Sequence, residues 1–470
     1  MDIRQMVIAD AMGTLIRRDE HQEEIRHNVS LACRAAATIG REASVRLSHL
    51  GFAIDDPHVV VTDGAGRLRF DPDAGRLDFL DLRLAGEESR MTMDGALMMF
   101  AESPAMDMRF MVEALSLQEM GRAIQLEFVD AGMVAGEIHL SGTVDDLDWR
   151  AALELEKSRF QGEGTIGIDE RRHVSVDASG RLSDMDPAVV PMPVFKRLAG
   201  NLNANVRVAG RYQGEGGFFG DAAVDLGPSR VAGCDIDAAS LHVAARGPDL
   251  SLEIQRLDTP YGRGLGRAVV EGIIPRDQEK RIDLSVTAYD VNPASVFPRH
   301  DVESAIGFSL QAGFVLPGDL DIARAGGYVH ARMLPSSVMD FNIAGGELEA
   351  AWSGDQIRID KFSVFGDIGE ITASGIGSWR DLFYQGNAAV TVLDLGATAP
   401  IIQKYFQVAD LSGSAAVAAD FSGAADAWDV EAEIRTTDIA FNDVSAKKLH
   451  MECHWRGGRK NFTLSADAGG

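Results

Sequence analysis

The 470-residue chain has little of what usually marks a catalytic or disulfide-built protein. Its three cysteines, Cys33, Cys234 and Cys453, are widely spaced and odd in number. They supply no disulfide framework, zinc pattern or redox pair. Prolines number 15, which excludes collagen and proline-rich linkers. Basic residues are in deficit: 45 Lys and Arg against 71 Asp and Glu leave a formal charge of −26. Such a field repels phosphate backbones and anionic headgroups and argues against a nucleic-acid partner. No run reaches the ~18 to 20 apolar residues of a membrane-spanning helix. Asp2, Arg4, Asp10, Arg17, Arg18 and Asp19 break up the first twenty residues, which therefore hold no signal-peptide core.

Glycine, by contrast, is abundant. The 49 glycines make up about a tenth of the chain, against a usual ~7%. With 46% apolar residues, this composition fits a folded protein of many strands joined by tight turns. The alternation agrees. Leu202, Ala204, Val206 and Val208 share one strand face, with Asn203, Asn205 and Arg207 on the other. Ile306, Phe308, Leu310, Ala312 and Phe314 repeat the pattern, as do Ala415, Val417, Ala419 and Phe421.

These strands end in a recurring apolar-x-Gly step. It occurs as Leu140-Ser141-Gly142, Val208-Ala209-Gly210, Leu316-Pro317-Gly318 and Phe421-Ser422-Gly423, with Gly40 a weaker copy. A second marker recurs about thirty residues later, at Leu68, Leu241, Leu348 and Leu449. Residues 114–124, 187–198, 293–298 and 399–406 break the alternation and read as helical or irregular connectors. The expected unit is therefore about one hundred residues, five strands and a crossing piece, an odd count that would oblige the connector to carry the chain back. The unit boundaries fall at 1–113, 114–186 (a short unit), 187–292, 293–397 and 398–470 (incomplete), all in one continuous array. The expected fold class is all-β with a few short helices, an elongated repeating antiparallel β-groove with an apolar concave trough.

Asp410-Leu411-Ser412-Gly413 running into Phe421-Ser422-Gly423 and Trp428, together with Ile371-Thr372-Ala373-Ser374-Gly375, resembles the AsmA-like superfamily, with TamB-type proteins nearest in character. The resemblance covers nearly the whole chain from about residue 40 and rests on recurrence. It implies a groove protein anchored in the inner membrane of a diderm bacterium, crossing the periplasm and passing phospholipid toward the outer membrane. Partners implied are phospholipid acyl chains, a membrane reached through an anchor or partner proteins, and an outer-membrane barrel protein. This sequence carries no anchor of the family's kind, and its last copy breaks off at Gly469-Gly470, so it reads as a portion of a longer protein.

Chemical motifs offer little competition. Gly162-Glu163-Gly164-Thr165-Ile166-Gly167 matches G-x-G-x-x-G. A dinucleotide site needs a helix directly after those glycines, whereas Asp169, Glu170 and Arg171 read as a turn, and Val174, Ser175 and Val176 as another strand. His450, Cys453 and His454 form the one local cluster of metal-ligand types and lack a fourth ligand. Acidic runs such as Asp71 to Asp73, and Asp145, Asp146 and Asp148, sit where turns are expected. The methionines at 91, 93, 98, 99, 106, 108 and 111 read as core filling, although their flexibility would also suit a fluid acyl chain. No catalytic residue, metal or cofactor is expected, and the protein reads as a non-enzyme.

Two functional classes emerge. The first is a lipid conduit whose trough is lined by Leu202, Ala204, Val206, Val208, Phe308, Leu310, Ile357, Ile359, Val390, Val392, Val417 and Phe421. The second is an assembly factor that templates outer-membrane barrel strands by β-augmentation.

Overall fold

The computed structural model describes residues 2–467 apart from 19–23, 56–57, 101–102, 125–131, 144, 170–172, 190–198, 214–216, 273–278, 293–303, 318–323, 339–340, 379, 381, 399–410, 425–426, 442–443 and 457–458. The protein is all-β and antiparallel. Helix among the described residues amounts to Leu117–Ile124, a 3-10 turn at Pro187–Val189 and a 3-10 position at Arg324. The chain divides into two compact units, Met1–Ala244 and Ala245–Gly470.

In the first unit each long strand pairs with the next. The series Arg90–Met98, Ala105–Ser116, Met133–Thr143, Asp146–Leu155, Ser158–Ile168, Val174–Met185 and Gly200–Tyr212 is an uninterrupted antiparallel meander. The second unit repeats the plan from Asp249–Thr259 through Lys280–Val291, Ser304–Leu316, Phe341–Ser353, Phe383–Val392 and Leu411–Ala424 to Arg459–Asp467.

The connectors behave differently from the expectation. Strands on either side of each one are hydrogen-bonded neighbours: Ala105–Ser116 with Met133–Thr143, Val174–Met185 with Gly200–Tyr212, Lys280–Val291 with Ser304–Leu316, and Phe383–Val392 with Leu411–Ala424. The chain thus resumes beside the strand it left, with no crossover in strand order at these points. The strand count explains why none is needed. Four long strands lie between the connectors at 116 and 200, and six between those at 291 and 411, so an even number brings the chain back to the same margin each time. The expected five falls between the four and the six found. Connectors 293–298 and 399–406 lie outside the described residues, as does most of 187–198.

Bulges recur at aspartate. Asp81, Asp184, Asp290 and Asp438 have φ between 51° and 54° in Phe79-Leu80-Asp81-Leu82, Leu182-Ser183-Asp184-Met185, Ala288-Tyr289-Asp290-Val291 and Thr436-Thr437-Asp438-Ile439. Register shifts coincide with all four. Asp tolerates the left-handed region better than most residues, and the extra residue lets i and i+3 share one face. Carboxylate or amide oxygens cap two of the freed amides: Asp81 N–H donates to Asp94 (2.7 Å) and Asp184 N–H to Asn203 (3.0 Å).

The helix Leu117–Ile124 is tied to the sheet margin through Glu119. Its carboxylate accepts from the backbone amides of Glu87 (3.0 Å), Glu88 (3.3 Å) and Ser89 (3.0 Å) and from the Ser89 hydroxyl (2.5 Å). Ser116, itself buried, accepts from Glu119 N–H and donates to Glu88. Burial of Glu119 favours the protonated form, but the hydroxyl and three amides outweigh it and hold its pKa below the usual carboxylate value. A depressed folded pKa contributes stability that is present above the unfolded value and lost as pH falls through the folded one. The tether should therefore hold from neutral pH down to about 5 and release only in more acidic solution, below the ordinary carboxyl pKa near 4.3. Glu119→Gln should release it at pH 7 at a cost of about 1 to 2 kcal/mol, kept low by solvent access. Faster amide hydrogen exchange at residues 87–89 would report both effects; unchanged exchange in the variant would show that the carboxylate is not the tether.

Candidate functional site: the apolar sheet face

Register decides which side chains share a face, because directly opposed residues on antiparallel strands point the same way. In the first unit Leu182, Ala204 and Leu226 form one row, Gly180, Val206 and Val224 the next, and Ala178, Val208 and Ala222 a third. Leu202 opposes Met185 on the same face. In the second unit Val286, Leu310 and Ala331 make one row, and Ala288, Phe308 and Met333 another. Ile357 pairs with Trp352, Ile359 with Ala350, and Val364, Ile371, Val390, Val417 and Ile434 cross five consecutive strands in register. Val392 and Phe421 lie on that face at opposite ends of their paired strands. All twelve sequence-derived trough residues thus occupy the apolar face of their units.

Their burial is the informative quantity. Ala204 is buried; the other eleven are only half-buried. A sheet face covered by a second protein layer would bury side chains of this kind. The intervening Asn205, Arg207, Gln311, Arg358, Thr391 and Asp420 are exposed on the other face. That face is a lattice of cross-strand polar contacts, among them the ion pairs Arg109–Glu137 (2.8 Å) and Lys361–Glu347 (2.6 Å) and a His139–Asp107 hydrogen bond (2.7 Å).

A cavity of about 280 Å³ opens on the apolar face of the second unit, at the margin where the connectors lie. Val390 and Val392 line it together with Val338, Phe341, Val364 and Ile371. Its exposed lining is almost wholly apolar. The last four residues were not among the sequence candidates. Strand parity could have found Val364 and Ile371, whereas Val338 sits in a three-residue strand and Phe341 at a strand end.

The opposite margin is aromatic. Trp352 is the penultimate residue of Phe341–Ser353, Tyr384 the second of Phe383–Val392, Trp428 the second of Ala427–Phe441 and Trp455 the penultimate of Val444–Arg456. Tyr384 stacks on Trp428 at 6.3 Å, Phe421 tilts against the same indole at 6.2 Å, and Phe314 packs on Trp352 at 5.6 Å. Glycines make room for these rings. A Cβ at Gly327 would come within 2.6 Å of the Trp352 ring, and one at Gly377 within 2.5 Å of Tyr384. Gly162 and Gly180 do the same for Phe160, which stacks on Trp149 at 6.4 Å. In the G-x-G-x-x-G run Gly162 thus lies beneath Phe160 and Gly164 opposes Trp149, inside the strand Ser158–Ile168 with another strand after it.

The remaining sequence candidates separate. His450 and His454 face the polar side, against Glu433 (3.0 Å) and Glu431 (3.5 Å), while Cys453 lies on the apolar side opposite Ala432. No cluster of three metal-ligand types occurs among the described residues. The Asp71 carboxylate accepts from the amides of Asp73 and Ala74, forming a turn. The methionines divide: Met91, Met93, Met106 and Met108 lie on the apolar face, whereas Met98, Met99 and Met111 are exposed. No helix among the described residues is long and apolar enough to cross a membrane. No family model, curated protein or solved structure matches the chain.

Proposed function

We propose that this segment is a non-enzymatic conduit for phospholipid, acting in the periplasm of a diderm bacterium between inner and outer membranes, in the manner of AsmA-like and TamB-type proteins. The half-exposed apolar face carries this reading. Apart from buried positions such as Leu82, Met108, Val112 and Ala204, the apolar strip runs strand after strand with its side chains only half-buried, and so lacks contacts that ordinary interiors make at crystal-like density. Acyl chains would supply them, each buried methylene contributing about 0.8 kcal/mol. The outer face, studded with ion pairs, suits an aqueous compartment.

Photo-reactive residues placed at Val206, Leu310, Ile359, Val390 and Val417 in the full-length protein should capture phospholipid in cells. The same groups at Asn205 and Arg207 should not. Capture of protein alone at the apolar positions would reject the conduit and favour assembly by strand addition. A reporter fused to the full-length protein should respond as a periplasmic one; a cytoplasmic signal would contradict the assignment of compartment.

A further inference from the structure

We propose that the trough of the second unit orients its ligand transversely, with the polar end of an amphiphile at the Trp/Tyr margin and its hydrocarbon running toward the connector margin. The inference rests on the trough's holding hydrocarbon at all, as argued under Proposed function, and goes beyond it by assigning direction to the two margins. Among the described residues of this unit's apolar face, the strand-borne aromatics with a polar handle are Trp352, Tyr384, Trp428 and Trp455. Every one of them stands one residue in from a strand end, and all four strand ends belong to the same margin. Phenylalanine is not so restricted: Phe308 and Phe341 lie toward the other margin. Hydrophobicity alone would not sort Trp and Tyr from Phe. A boundary between hydrocarbon and polar groups would, because indole N–H and phenol O–H then find partners on the wet side.

The other margin has the complementary chemistry. Its cavity of about 280 Å³ is lined by Val338, Phe341, Val364, Ile371, Val390 and Val392 and exposes almost no polar surface. A space of that kind holds water poorly, yet it has room for on the order of nine groups of water size, each ~30 Å³. An alkyl segment meets both conditions. The width between margins also fits. Tyr384 and Val392 are eight residues apart on one strand, roughly 26 Å at 3.3 Å per residue. One leaflet of a bilayer, headgroup included, measures roughly 20 to 22 Å. The strand is thus long enough to span one monolayer, with aromatics at one end and aliphatics at the other.

The test uses the full chain loaded with two phosphatidylcholine probes, one carrying a diazirine at the acyl terminus and one carrying it near the ester carbonyl, with adducts mapped by mass spectrometry. Chain-terminal label is expected on strand halves containing Val364, Ile371, Val390 and Val392, and ester-proximal label on those containing Trp352, Tyr384 and Trp428. Replacing Tyr384 and Trp428 together by Leu, which keeps the site apolar, should erase the difference between the two maps while total labelling persists. Identical or reversed maps in the parent protein would overturn the orientation and leave the conduit standing. Labelling that misses the apolar face with both probes would remove the conduit reading itself.

Discussion

A full-length chain carrying Val206→Asp together with Phe308→Asp should transfer phospholipid at about one hundredth of the parent rate or less. A carboxylate set against hydrocarbon costs about 2.5 to 3.5 kcal/mol, and each 1.4 kcal/mol is a factor of ten in occupancy. One such charge in each unit interrupts a lane on that unit's apolar face. The fold should survive. Both side chains are half-buried, so a carboxylate there keeps contact with water; Val206 lies in regular mid-strand register, and Phe308 opposes Ala288 beside the bulge at Asp290. Stability should fall by no more than about 1 to 2 kcal/mol per site, the common range for point substitutions. Asn205→Asp with Arg207→Asp, on the exposed opposite face, supplies the charge control. Transfer between donor and acceptor vesicles, read by dequenching of a fluorescent lipid, separates the outcomes. If the apolar-face variant transfers as fast as the control while both remain folded, hydrocarbon does not travel along this face.

The two faces were legible in the sequence because a strand's side-chain period is two and these strands are long. Thirteen residues of Gly200–Tyr212 leave no doubt about parity. Parity is also where legibility stopped. At Leu182-Ser183-Asp184-Met185 the alternation slips by one, and counting every second residue from Leu182 assigns Asp184 to the apolar side. The φ of 54° at Asp184 absorbs the slip and returns Met185 to the apolar face, opposite Leu202. A bulge of this kind leaves only an aspartate between apolar residues as its trace, which a turn would leave equally well. Connectivity was obscured for a related reason. Short strands such as Val59–Val61 and Ser229–Val231 have one or two residues per face, too few to show a period, so they left no trace in the alternation. The candidate site fared similarly. Val390 and Val392 could be chosen from alternation, but Val338 and Phe341 line the same cavity from a three-residue strand and a strand end, positions fixed by tertiary pairing. Nor did the sequence distinguish the two margins, because turns alternate between them and only the pairing order tells which turns share a side.

The recurring glycines provide the second large effect, and they should not behave alike. At Gly142 the backbone has φ 113°, a conformation that side chains other than hydrogen rarely adopt, and an added Cβ would overlap the Asp146 carbonyl. Backbone strain of about 1 to 3 kcal/mol and overpacking of similar size then act together, so Gly142→Ala should cost about 3 to 4 kcal/mol. Gly210 differs: its φ is unremarkable, and the nearest atoms to the added methyl belong to the Phe218 ring, which can swing aside. Gly210→Ala should cost about 1 to 2 kcal/mol, the ordinary range of overpacking against a movable side chain. Gly40 meets nothing closer than 3.8 Å, so Gly40→Ala should stay within about 0.5 kcal/mol of the parent. A chain in which each strand contacts its sheet neighbours opens locally, so the effect should be read strand by strand and not from a single melting curve. Amide exchange in Met133–Thr143 and Asp146–Leu155 should accelerate by about two orders of magnitude in Gly142→Ala, since each 1.4 kcal/mol is a factor of ten. Equal acceleration in all three variants would mean that these glycines mark strand ends by composition alone. A graded series would mean that the same apolar-x-Gly step serves a backbone twist at Gly142, an aromatic floor at Gly210 and no local constraint at Gly40.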